Sequence, residues 1–363
     1  MDVFSQKKER NPGRINEADL LAGLQSGQSV LGPLKVAHML PLERLDSADA
    51  RITLSWDDGV PIRFVVEAKS HNTPLIVRQA ILQARHHVRV VDEHPLVIVP
   101  YLSPHMLDEL DRERVSGIDL CGNGLIIVPG RLYVRQSGHP NIYPESRPLS
   151  NPYRGQSALV ARMLLVQNSF NTLAELVNAI RQNGGALSLS QASKAVHALQ
   201  NDVILAKLGD AINLISVHDL LNRLGREWRA PIYKSRMALR LPSGVTLSGA
   251  WQNAAGLSWA ITGESSASHY LALSQSGPRR IVVTKMALAR EMLGASIEPM
   301  RGYADVELLE TDEPGFYFMN HVDAEGMRWA SSLQTWLELQ AGDARQKTAA
   351  ADLYKQLQEI SDK

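Results

Sequence analysis

Two alternating segments, 50–56 (ARITLSW) and 61–69 (PIRFVVEAK), flank Asp57-Asp58-Gly59. Apolar and polar residues that alternate fit a strand with one buried face, and Asp-Gly between two such runs signals a hairpin. A hairpin fixes register. With the turn centred on Asp58, Asp49 stands opposite Glu67. Ile62, Phe64, Val66 and Ala68 face a core, while Arg63, Val65, Glu67 and Lys69 face the other way. On the partner run, Ile52, Leu54 and Trp56 face the core, and Asp49 shares the parity of Arg51, Thr53 and Ser55.

Beyond the hairpin the chain reads as α/β. A helical pattern over LIVRQAILQARHHV leads to PLVIVPYL, a short strand of the buried type. Ser103-Pro104 then opens a helix as cap and first-turn proline. The apolar runs GIDLCG and LIIVPGRLYV close the unit, and strands separated by helices imply a sheet with parallel members. The turn-rich stretch SGHPNIYPESRPLSNPYRG ends this section near residue 150, and Pro231 marks a second change. A chain of 363 residues exceeds one compact core, so we expect a multidomain α/β protein with domains over 1–150, 151–230 and 231–363.

Opposed carboxylates have Cβ atoms about 4.5–5.5 Å apart and repel unless a cation lies between them. Mg²⁺ suits such hard oxygen ligands. A lysine two residues along the same face can orient a water or stabilise charge on a phosphate. Asp49, Glu67 and Lys69 resemble the motif of the PD-(D/E)XK nuclease superfamily. The resemblance implies a restriction-endonuclease-like α/β domain over 1–150, with Asp49 and Glu67 as Mg²⁺ ligands and Lys69 beside them. It also implies a glutamine from the next helix, Gln83 or its neighbour one turn back, Gln79, and an acid from the first helix, among Glu17, Asp19 and Glu43. The chain departs from the motif at residue 48, an alanine where the pattern has proline. The plain alternative for Glu67-Ala68-Lys69 is a solvated ion pair worth under about 1 kcal/mol. His86 and His87 are of a type that ligates metals, but they sit where a helix C-terminus favours histidine through its dipole, and that second reading is the one expected. Asp119 and Asn123 read as turn formers, and Cys121 as a small core residue.

The middle section fits a winged-helix plan. Helices are expected over SALVARMLLVQNS, over TLAELVNAIRQ with a Thr172–Glu175 capping box, and over SLSQASKAVHALQND. Ala192, Val196 and Leu199 form the apolar stripe of the third. The run VILAKLGDAINLIS reads as two strands around a Gly209-Asp210 wing. The second helix of such a motif enters the major groove. Ser190, Gln191, Ser193, Lys194 and His197 are therefore the candidate DNA contacts, with Lys207 reaching phosphate from the wing. The formal net charge is zero, but residues 151–230 carry 8 basic against 5 acidic side chains.

In the third section only Thr262-Gly263 and Arg279-Arg280 are polar features of note, and structural roles suffice for both. A winged helix, then TG…A, then ADVELLE, then SSLQTWLEL resembles the AbiEi-type antitoxins of type IV toxin–antitoxin systems. That resemblance implies an AbiEi-like C-terminal α/β domain, repression through the winged helix, a cognate toxin as partner, and a possible homodimer. The nuclease-like front section departs from that plan. Two functions are thus expected: a Mg²⁺-dependent DNA endonuclease or nuclease-derived defence protein, or an antitoxin-like repressor built on a silent nuclease fold. A module for protein contacts is a third. One cysteine and no membrane-spanning stretch fit a cytoplasmic, double-stranded-DNA-binding protein.

Overall fold

The computed structural model describes residues 15–42, 48–56, 59–143, 151–241, 244–251, 255–273, 277–294 and 304–361. It is a mixed α/β protein of two compact units, Met1–Pro148 and Leu149–Lys363. No helix among the described residues is long and apolar enough to cross a membrane.

The first unit contains helix α1 (Glu17–Ala22), strands β1 (Ser29–Leu31), β2 (Leu34–Pro41), β3 (Ala50–Ser55) and β4 (Ile62–Ala68), helix α2 (Pro74–His87), strand β5 (Glu93–Val99), helix α3 (Pro104–Arg112), and strands β6 (Ser116–Asp119), β7 (Gly124–Val128) and β8 (Leu132–Gln136). All eight strands form one sheet, in chain order from β1 to β8. The β3–β4 hairpin pairs Ala50 with Val66, Ile52 with Phe64 and Leu54 with Ile62, the register expected from the sequence. Pairing is parallel from β4 to β5 and from β5 to β6, because α2 and α3 carry the chain back across the sheet. Thr73 and Ser103 cap the two helices, each followed by a proline at N1, where the missing N–H costs nothing.

Both faces of this sheet are covered. Leu20 of α1 packs with Ile52, Phe64, Val66 and Ile98 on one face. Val77, Ala84, Leu107 and Leu110 of α2 and α3 pack with Val97 and Leu125 on the other. The apolar run LIIVPGRLYV forms two strands that reverse at residues 129–131. Strands β1 and β2 carry weak sequence signals. A register shift between Val36 and His38 interrupts the alternation of β2, and its second half is largely exposed.

The second unit begins with helix α4 (Ala158–Leu164), strand β9 (Ser169–Phe170), helices α5 (Leu173–Gln182) and α6 (Leu189–Asn201), strands β10 (Leu205–Leu208) and β11 (Ala211–Leu214), and helix α7 (Val217–Glu227). Its remaining elements are β12 (Ser235–Leu239), α8 (Leu247–Trp251), β13 (Trp259–Ile261), α9 (Glu264–Tyr270), β14 (Arg279–Val283), α10 (Met286–Leu293), β15 (Val306–Glu310), β16 (His321–Val322), β17 (Arg328–Trp329), α11 (Ser332–Gln340) and α12 (Ala344–Ser361). Strands β10, β11 and β9 make a small sheet, and β12-β15-β14-β13-β17-β16 a larger mixed one. One core runs across the expected boundary at 230/231: Leu164, Leu176, Leu199 and Leu224 share it with Trp336, Leu337 and Leu353 of α11 and α12.

The capping box expected at Thr172 is offset. Thr172 Oγ1 accepts from Glu175 N–H, but the Glu175 carboxylate accepts from Asn171 N–H rather than from that of Thr172. A complete box lies one helix later, where Ser188 Oγ accepts from Gln191 N–H and Gln191 Oε1 from Ser188 N–H.

Candidate functional site

The hairpin register brings the acidic set together. Asp49 N–H donates to Val66 O at 3.0 Å, just beyond the end of β3. One Asp49 oxygen accepts from Ala68 N–H at 2.7 Å. The paired register ends at Ala50–Val66, and Asp49 lies just beyond it, close enough to Glu67 for its charge to act on that carboxyl. Glu67 is only 4% exposed. Its Oε1 accepts from Lys69 Nζ at 2.5 Å. Its Oε2 is buried with no hydrogen-bond partner and lies 3.5 Å from His87 Nδ1, which is likewise buried and unpartnered. Burial pushes the Glu67 carboxyl up from the usual range, the Lys69 hydrogen bond opposes the rise, and the Asp49 charge adds to it.

The remaining candidates lie elsewhere. Gln79 and Gln83 are exposed on α2, and among the described residues no hydrogen bond joins either to Asp49, Glu67 or Lys69. Asp19 is spent on capping α1, where it accepts from Asn16 N–H, and Glu17 is exposed. Glu43 lies outside the described residues. His87, not a glutamine, is the α2 residue that reaches Glu67. The dipole argument accounts for a histidine at a helix end, but it does not foresee an approach that depends on how α2 lies over the sheet. Among the described residues, no three His, Cys, Asp or Glu side chains gather closely enough to hold a metal ion by themselves.

Asp119 organises a turn, as expected. It accepts from the N–H groups of Leu102, Cys121 and Asn123 and from Asn123 Nδ2. Burial pushes the Cys121 thiol up to about 11, so it stays protonated at neutral pH.

In the second unit, Ser190, Ser193, Lys194 and His197 are exposed on α6 at the spacing of one helix face, while Ala192, Val196 and Leu199 are buried behind them. Gln191 is exposed, but its carboxamide is taken by the capping box and by Gln156. The S-x-x-Q spacing at 188–191 carried that signal in the sequence. Lys207 is exposed on β10, next to a two-residue turn in which Gly209 has φ +64°.

The segments behind the antitoxin resemblance meet in space. Gly263 N–H and Thr262 Oγ1 both donate to Glu338 of α11, and Ser266 Oγ lies 2.7 Å from Thr335 Oγ1. Arg280 pairs with Glu307 of β15. Arg162 of α4, fully buried, donates to Gln334 Oε1 and to Gly315 O.

No protein-family model and no curated protein matches this sequence. Among solved structures, the Megavirus polyadenylate synthase is similar over 79% of this chain and 63% of that chain, with 11% identity and a TM-score of 0.24. The chain thus spans less than two thirds of that structure, and a likeness this low carries neither fold nor function.

Proposed function

We propose that the protein binds double-stranded DNA through a winged helix in its second unit, and that its first unit is a PD-(D/E)XK-type nuclease module. The observation that carries the proposal is the nearness of the Asp49 and Glu67 carboxylates at the end of the β3–β4 pair, with Lys69 on Glu67. The succession α4, β9, α5, α6, β10, β11 supports the winged helix, with α6 as the helix that enters the major groove. Under this reading Asp49 and Glu67 would supply the carboxylate oxygens for Mg²⁺, with waters and phosphate oxygens making up the rest of its shell. When bound there, it would polarise a phosphate and lower the pKa of a water. Lys69, with about a fifth of its side chain exposed, is within reach of a phosphate while it holds Glu67 in place.

The test is cleavage of plasmid and linear DNA with Mg²⁺ or Mn²⁺ by the wild type and Glu67→Ala. Cleavage by the wild type, lost in the variant, is the expected result. If neither cuts and both shift DNA equally, the nuclease reading fails. The protein is then a DNA-binding regulator, with the AbiEi-like antitoxin plan and a cognate toxin as the reading to pursue. The meeting of the TG, ADVELLE and SSLQTWLEL segments around Glu338 and Glu307 favours that second reading.

DNA binding itself is tested by Lys194→Glu. Loss of one phosphate contact is expected to weaken binding roughly tenfold across all sequences and to lower the salt slope by about 1. An unchanged slope would remove α6 from the interface.

A further inference from the structure

Helix α6 ends at Asn201 in a turn closed by two backward hydrogen bonds. Val203 N–H donates to Gln200 O at 2.9 Å, and Ile204 N–H to Leu199 O at 2.9 Å. The residue after the cap of such a turn has a positive φ, and glycine is the usual choice because it has no Cβ to clash. Here the residue is Val203, with φ +59°. A β-branched side chain in that region is strained, and the strain persists only where the surroundings enforce it. The cap itself is Asp202, a carboxylate at the end of a helix whose dipole favours cations. Burial pushes that carboxyl up from its usual range, the Tyr153 hydrogen bond and the Arg223 charge oppose the rise, and the Glu227 charge adds to it. Two unfavourable choices thus meet at one joint, between α6 and β10.

Tyr153 holds that joint. It is buried near the start of the second unit, and its hydroxyl donates to Asp202 Oδ2 at 2.6 Å. Its neighbours are tied to the end of α7: Asn151 Nδ2 donates to Glu227 Oε2 at 2.7 Å, and Arg154 Nε to Glu227 O at 2.6 Å. Beyond the joint, Ile204 and Leu205 are buried in one core with Leu199, and Ile204 O accepts from Ile215 N–H at 2.9 Å. We propose that the Asp202–Val203 joint is a strained hinge between α6 and the β10–β11 hairpin, and that Tyr153 is its latch. The joint sets the angle between the α6 face that carries Lys194 and the hairpin that carries Lys207, so releasing Tyr153 re-angles the two. The first residues of the second unit thereby control the setting of its helix and hairpin. The hinge stands whether or not α6 enters DNA.

The experiment measures amide hydrogen exchange in the full chain for the wild type, Val203→Gly, Tyr153→Phe and the double variant. Ile204 and Ile215 report on the joint, and Leu176 of α5 is the reference. Glycine in an unstrained loop loosens the backbone and speeds local exchange, whereas at a strained position of positive φ it removes the strain and slows exchange. Val203→Gly is therefore expected to slow exchange at Ile204 and Ile215 by about threefold or more. Tyr153→Phe keeps the ring and removes the hydroxyl, and it is expected to speed exchange there about fivefold. The double variant returns toward the wild type, and Leu176 does not change in any of them. Equal or faster exchange in Val203→Gly would overturn the strain. Unchanged exchange at both reporters in Tyr153→Phe, or acceleration that reaches Leu176 equally, would overturn the latch. The strain is decided by Val203→Gly alone, without relying on Tyr153→Phe to fold.

Discussion

Arg162→Met is expected to cost the second unit about 3–5 kcal/mol, the range for breaking a buried charge cluster from one side. Methionine keeps most of the volume, so the loss is electrostatic. Arg162 is 5% exposed, burial lowers its guanidinium to about 10, and the Glu313 and Glu338 charges oppose that fall. Its Nη2 donates to Gln334 Oε1 at 2.8 Å, and a Cβ at Gly315 would come within 2.6 Å of that nitrogen. Without the guanidinium, Gln334 and the Gly315 carbonyl lose their donor and Glu313 loses its counter-charge. Burial already raises both Glu313 and Glu338, and Glu313 rises further in the variant, where Arg162 no longer opposes it. A carboxyl raised on folding costs stability above its folded pKa, and the cost vanishes below the unfolded value. The deficit of the variant should therefore be largest at neutral pH and shrink as the pH falls toward 4.5, the ordinary glutamate value. Urea unfolding of the full chain at pH 7 and pH 5 measures it. A loss under about 1 kcal/mol at pH 7 would mean that the carboxylates do not depend on Arg162.

Asp119→Ala should be comparably damaging to the first unit, at about 4 kcal/mol. The side chain is 3% exposed and accepts four hydrogen bonds, three of them from backbone N–H groups. A buried donor left without an acceptor costs about 1–3 kcal/mol. Alanine strands the Leu102 and Asn123 amides, which lie in buried positions where water cannot replace the carboxylate. Asparagine is no rescue, because its NH₂ would face N–H donors. Hydrogen exchange at Leu102, Cys121 and Asn123 should accelerate first, and the unfolding midpoint of the first unit should fall while that of the second is unchanged.

The sequence made the acidic pair legible because a hairpin with strict alternation has only one register that buries Ile52, Phe64 and Val66 together. It made the α6 face legible for the same kind of reason, since Ala192, Val196 and Leu199 define the buried stripe. The partner of Glu67 was out of reach. His87 lies 20 positions along the chain, and its approach depends on the seating of α2 over the sheet, not on any local period. Arg162 was hidden in the same way. In SALVARMLLV it reads as a polar residue on an amphipathic helix, yet Gly315 and Gln334, far along the chain, supply acceptors that let it be buried. The core that joins α4–α7 to α11 and α12 is likewise a tertiary fact, which is why a boundary read from Pro231 crosses it.

The chain-order arrangement of β1 to β8 has a kinetic consequence. Each strand finds its partner among the strands that directly precede it, and the antiparallel pairs close short loops, while the parallel β4–β5 and β5–β6 pairs wait for the intervening α2 and α3. A nascent chain can extend such a sheet in the order of synthesis. The two acids then meet within a local hairpin before α2 and β5 have been added. Their mutual repulsion falls on an early part of the fold, where the Ile52–Phe64 and Leu54–Ile62 pairs oppose it before the α2 layer is in place.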